Sequence, residues 1–141
     1  MTKLFSVRKH PKTVALSLLF LRLVVGIAMM LHGWGKIQAP FNWMGPESPV
    51  PGFFQFLAAL SEFGGGLFLV LGLLSFLSSL GIFFTMLVAA LFHAIVLGDP
   101  FVSKGGGSYE LATIYALISI LFMSAGPGFL ALDSKIFGTK K

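Results

Sequence analysis

Residues 13–36 read TVALSLLFLRLVVGIAMMLHGWGK. From Thr13 to about Leu31 this run is apolar, broken by Ser17 and Arg22. A helix that crosses a bilayer needs about 20 mainly apolar residues, so the run predicts a transmembrane helix. Lys3, Arg8, Lys9 and Lys12 precede it, as basic residues precede a signal peptide. No small-x-small cleavage site follows, however, and Arg22 interrupts the apolar core, which favours a retained helix.

The rest of the chain has the same character. Of its 141 residues, 56% are hydrophobic and only 11% charged, against roughly 25% charged in soluble domains. So few charged side chains cannot coat a sphere in water, and lipid is the natural solvent for much of the surface. The absence of cysteine excludes disulfides, thiolate ligands and CxxC redox relays. The net charge of +5 is concentrated at the two ends of the chain. That pattern suits membrane orientation, and no nucleic-acid-binding motif accompanies it.

Residues 33–52 contain Pro40, Pro46, Pro49 and Pro51 together with Phe41, Trp43 and Met44. Four prolines break a helix, and the aromatic residues suit a loop at the membrane interface. Further helices are expected over about 53–74, 76–97 and 109–125. The second and third form a tight antiparallel hairpin. Gly98, Asp99 and Pro100 end the third helix, Ser108 is placed to cap the fourth, and Gly126-Pro127-Gly128 stops it. Lys3, Arg8, Lys9, Lys12, Lys135, Lys140 and Lys141 lie on one side of this layout; the two longer loops carry only Lys36 and Lys104. The positive-inside rule then puts both termini in the cytoplasm. The expected fold is a single all-α membrane domain over residues 1–141, an antiparallel bundle of four transmembrane helices.

Ionisable residues inside apolar spans are costly and normally find partners in the bundle interior. Here they are Arg22, His32, Lys36, Glu62, His93 and Glu110. Arg22, Val25, Met29, His32 and Lys36 form a stripe at 3-4-3-4 spacing. Counting from the helix ends puts Arg22 and Glu62 near the bilayer centre, so a buried Arg22–Glu62 ion pair is expected. Such a pair could equally do no more than fix helix register. His32, Lys36, His93 and Glu110 map to the outer third, where they could line a ligand pocket beneath the 33–52 loop. Each also has a plainer role: an interfacial side chain for His32 and Lys36, a carbonyl contact for His93, a helix-start acid for Glu110. No ligand spacing such as HExxH is present, so no metal is assigned. Gly64-Gly65-Gly66 and Gly105-Gly106-Gly107 lack the Lys-Ser/Thr ending of a phosphate loop; the first suits close helix packing and the second a flexible connector.

Arg22-Leu23-Val24-Val25-Gly26 running to His32-Gly33-Trp34-Gly35-Lys36 resembles the opening of the DoxX family. Glu62-Phe63-Gly64-Gly65-Gly66, Leu71-Gly72-Leu73, His93, Gly106-Gly107-Ser108-Tyr109-Glu110 and Gly126-Pro127-Gly128 follow in the family's order. The resemblance covers about residues 15–133. It implies a small four-helix protein of a bacterial or archaeal cytoplasmic membrane, associated with redox or sulfur chemistry. A quinone is the cofactor it suggests, with partner redox subunits, membrane lipids and a homo-oligomer as partners. Three functions remain open: a redox subunit in which a histidine moves a proton near neutral pH, a scaffold whose polar residues are structural, and a small oligomeric transporter.

Overall fold

The protein is described by a computed structural model, which covers residues 5–140. Helix α1 spans Lys12–Gln38. Pro11 precedes it, and no further proline occurs before Pro40. Pro40 disfavours helical backbone at the residue before it, and Ala39 has indeed left it, with φ −134° and ψ 62°. The expectation ended this helix near Leu31, ahead of Gly33 and Gly35. Instead it continues for two further turns, so Trp34 and Lys36 belong to the helix and the loop starts at Ala39. Gly33 does not act as a terminator because it sits where a Cβ would come within 2.5 Å of the Phe63 backbone nitrogen.

Helix α2 spans Gly52–Leu71 and α3 spans Ser75–Val96. Each contains a π-helical turn, at Leu60–Gly64 in α2 and at Phe92–Val96 in α3. Helix α4 spans Glu110–Ala125. Tyr109, not Ser108, occupies its N-cap position, and no side chain caps it. A short helix, α5 (Leu132–Ile136), follows. Strands β1 (Val7–Arg8) and β2 (Thr139–Lys140) pair in parallel, so the two ends of the chain meet at one end of the bundle.

Helix α1 lies along α2 and α3 along α4, with α2 and α3 joining the two pairs. The approach of α1 to α2 depends on two glycines. A Cβ on Gly66 would lie 2.7 Å from the Gly26 carbonyl oxygen, and one on Gly26 2.8 Å from the Gly66 carbonyl oxygen. Small residues at crossings are how membrane helices gain contact. The interior holds Leu18, Val25, Met29, Leu69, Ile82, Met86, Ala116 and Phe122.

The outside is also apolar. Phe20, Val24, Leu31, Phe84, Val88 and Ile95 are all more than half exposed. A water-soluble monomer rarely shows so continuous an apolar surface, whereas lipid covers it without cost. Helices α1, α2 and α3 are long and apolar enough to cross a membrane. Helix α4 is apolar but has 16 residues.

Candidate functional site: a buried Lys36–Glu62 pair

Glu62 lies inside the π-helical turn of α2 and is 1% exposed. A π turn adds a residue to the helical ladder, re-aims the side chains around it, and occurs frequently at functional sites. Here it turns Glu62 toward the last part of α1. Lys36 Nζ donates to Glu62 Oε1 at 2.6 Å. The Lys36 side chain remains a quarter exposed, whereas that of Glu62 is sealed. The same ammonium lies 4.5 Å from the centre of the Trp43 ring, a cation–π contact.

The loop over this pair is held by Gln55. Its side chain accepts the Met44 N–H at 3.0 Å and donates to the Val50 carbonyl at 2.8 Å. Its own carbonyl accepts the Trp43 indole N–H at 2.9 Å. Gln55 is buried, so these bonds form away from competing water. Trp34, on the helix turn before Lys36, leans on Phe63 with ring centres 5.6 Å apart. Glu62 Oε2 is buried and has no hydrogen-bond partner. An acceptor in that condition carries a desolvation penalty that a donor would relieve.

The expected Arg22–Glu62 pair does not form. Gly33 of α1 lies against Glu62, and Arg22 precedes Gly33 by eleven residues. That separation is roughly 16 Å along a helix rising about 1.5 Å per residue. The expectation aligned the two helices by their ends. In the fold, α1 overshoots α2 at the end where the termini meet, which carries Arg22 down to Gly72. There Arg22 Nη1 donates to the Pro127 carbonyl at 3.0 Å and Nη2 to the Leu130 carbonyl at 3.4 Å. The guanidinium therefore ties α1 to the irregular segment after α4, whose carbonyls have no helix to satisfy them.

The four residues expected to share an outer pocket each have separate surroundings. His32 is exposed and meets the edge of Tyr115, ring centres 6.2 Å apart. Lys36 bonds Glu62. His93 Nδ1 lies 2.6 Å from Asp99 Oδ2, closing the π-helical end of α3 onto the turn that follows. Glu110 sits in the first turn of α4, where an acid suits the helix dipole. Among the described residues, no hydrogen bond or ion pair joins any two of these four, and no cluster of three metal-ligating side chains occurs.

Two cavities lie elsewhere. One, about 140 Å³, is at the termini end, lined in part by Arg8, Ser75, Phe122 and Asp133. The other, about 400 Å³, is an apolar groove between α2 and α3, flanked by Gly64, Phe68, Gly81 and Phe84.

Residues 17–94 match the family described as DoxX. A Haemophilus influenzae (strain Rd) protein named "Uncharacterized protein" is 33% identical over 85% of this chain and 90% of its own length. A Bacillus subtilis (strain 168) protein named "Putative oxidoreductase CatD" is 29% identical over 92% of this chain and 94% of its own length. "Inner membrane protein YqjF" of Escherichia coli K12 is 40% identical over 52% of this chain and 58% of its own length. No solved structure matches. The family match covers more than half of the chain and takes in the helices that carry Arg22, Lys36, Glu62 and His93, so this protein belongs to the DoxX family.

Proposed function

We propose that this protein is the membrane subunit of a redox system and binds a quinone ring beside Lys36 and Glu62. It lies in the cytoplasmic membrane as a four-span, multi-pass protein, with both termini in the cytoplasm and the Lys36 end of the bundle outward. The clustering of basic residues at the termini supports that orientation. Local thinning of the bilayer accommodates the shorter α4 as the fourth span. The relative from B. subtilis whose name includes oxidoreductase supports the redox assignment.

The observation that carries the reading is the buried Lys36–Glu62 pair with one carboxylate oxygen unpartnered. Intramembrane charge is expensive and is functional by default. The Trp43 ring supplies flat apolar surface beside the pair, as sites for aromatic ligands do.

Trp34 and Trp43 are the chain's two tryptophans, and both adjoin this site, so intrinsic fluorescence reports on it directly. Titrating purified protein in detergent micelles with a short-chain quinone is expected to give saturable quenching. Glu62→Gln and Lys36→Met should weaken it at least tenfold, while Gly35→Ala leaves it unchanged. Quenching that never saturates, or that ignores both substitutions, would overturn the proposal.

A further inference from the structure

The two ends of the chain meet beside a cavity, at the opposite end of the bundle from Lys36. Strands β1 and β2 pair in parallel with Arg8 directly opposite Lys140. Partners in register on neighbouring strands carry their side chains on the same face. Both residues line the cavity of about 140 Å³ at the termini end. Two cations on one wall repel each other and together attract an anion. We propose that this cavity binds the phosphate group of an anionic phospholipid, whose acyl chains run along the exposed apolar surface of the bundle.

The lining has the donors for it. Arg8 is exposed, and among the described residues its guanidinium makes no hydrogen bond or ion pair. A guanidinium presents paired N–H groups that fit two phosphate oxygens, and an ammonium adds a compact charge. Asp133 is the one acid in the wall. Its two oxygens are turned to the Leu74 and Ser75 N–H groups, so it does not take up the cations. The volume is several times the roughly 30 Å³ share of one water, room for a phosphate group with part of its hydration.

The rest of the wall distinguishes a lipid from a free anion. Phe5, Phe76 and Met123 are apolar parts of it. Inorganic phosphate gains nothing from them, whereas the glycerol and first methylenes of a lipid do. The cavity also lies at the depth of headgroups. Its walls come from the first residue of α3, the last turn of α4 and the strands beyond the helices. Leu77, two residues into α3 from the cavity, is already more than half exposed, as a lipid-facing side chain is. Both faces of a bilayer carry headgroups, so the site depends neither on the orientation nor on the quinone proposed above.

In the test, protein in maltoside micelles is equilibrated with equal amounts of dioleoylphosphatidylglycerol and dioleoylphosphatidylcholine. Lipid adducts are counted by native mass spectrometry. The first adduct should favour phosphatidylglycerol by about fivefold or more, the contribution of one basic residue near an anionic headgroup. Arg8→Gln, at an exposed side chain, should at least halve that ratio, and Arg8→Gln with Lys140→Gln should bring it within about twofold. Lys9→Gln with Lys12→Gln removes the same charge from the same end but leaves the cavity wall intact, and should keep the preference. Equal adducts of the two lipids on the wild-type protein would overturn the proposal. A preference that survives Arg8→Gln with Lys140→Gln would do the same, as would one lost equally in both double variants, since it would then belong to the summed charge of the chain ends. Displacement of the lipid by inorganic phosphate at unchanged ionic strength would make the free anion the ligand and overturn the lipid assignment.

Discussion

The carboxylate of Asp133 accepts the backbone N–H of Ser75 at 2.8 Å, from fifty-eight residues further along the chain. Its other oxygen accepts the Leu74 N–H at 2.6 Å. Leu74 has φ +46°, in the left-handed region that non-glycine residues rarely adopt. The chain turns from α2 to α3 in three residues, Gly72 to Leu74, and a tail residue holds the strained position. Asp133→Ala should therefore lower stability by about 2 kcal/mol, through the loss of two charge-assisted bonds. Leu74→Gly should recover part of that loss by removing the strain. Thermal midpoints of the single and double variants in one detergent would check both. A destabilisation by Asp133→Ala that Leu74→Gly worsens would contradict the account.

The Lys36–Glu62 pair makes its own energetic prediction. Removing one partner of a buried pair leaves an uncompensated charge and costs roughly 3–5 kcal/mol. Since the Lys36 side chain is 26% exposed, the low end, about 3 kcal/mol, is expected for Lys36→Met. Adding Glu62→Gln to Lys36→Met should restore most of the loss, because no charge is then left buried. A double variant as unstable as the sum of the singles would mean that the two residues do not interact.

The glycines separate packing from propensity. Gly→Ala within a helix is ordinarily favourable by about 1 kcal/mol. Gly35→Ala should show that gain, because a Cβ there meets nothing within 4 Å. Gly66→Ala should instead cost about 1–3 kcal/mol, because its Cβ would meet the Gly26 carbonyl oxygen and the Met30 nitrogen, both within 3.0 Å. Opposite signs at two helical glycines of one bundle are the expected result, read from thermal midpoints.

Hydropathy made the apolar helices legible, since it needs only composition and length. The polar contacts were less legible, because they depend on how far one helix slides past another. Arg22 and Glu62 were both visible as buried ionisable residues, but their pairing assumed equal helices with aligned ends. The close passage of Gly26 by Gly66 and of Gly33 by Glu62 sets a different register, and no hydropathy plot contains it. Lys36 was visible on the polar stripe of the first helix, but the loop was begun at Gly33 on the strength of prolines that start only at Pro40, so the last two turns of that helix were missed. Asp133 gave no signal beyond being an acid in the C-terminal tail. Gln55 gave a faint one, as an amide seven residues before Glu62 on an apolar helix face.

The proposed four-span topology can be tested without altering any existing reactive group, since the chain has no cysteine. Gly45 lies in the loop after α1 and Gly138 in the tail beside β2. A Cβ at either position meets nothing within 4 Å; both glycines have positive φ, so each cysteine carries local backbone strain, in an exposed or half-exposed turn away from the helix crossings. With both termini in the cytoplasm, Gly45→Cys should react with a membrane-impermeant maleimide in intact cells. Gly138→Cys should react only after permeabilisation. Val7 pairs with Thr139, which fixes the two ends of the chain to the same side. A helix α4 that failed to cross would demand an odd number of spans and break that pairing across the membrane. Labelling of both cysteines in intact cells would therefore overturn the four-span arrangement. Labelling of Gly138→Cys alone would keep the arrangement and invert its orientation.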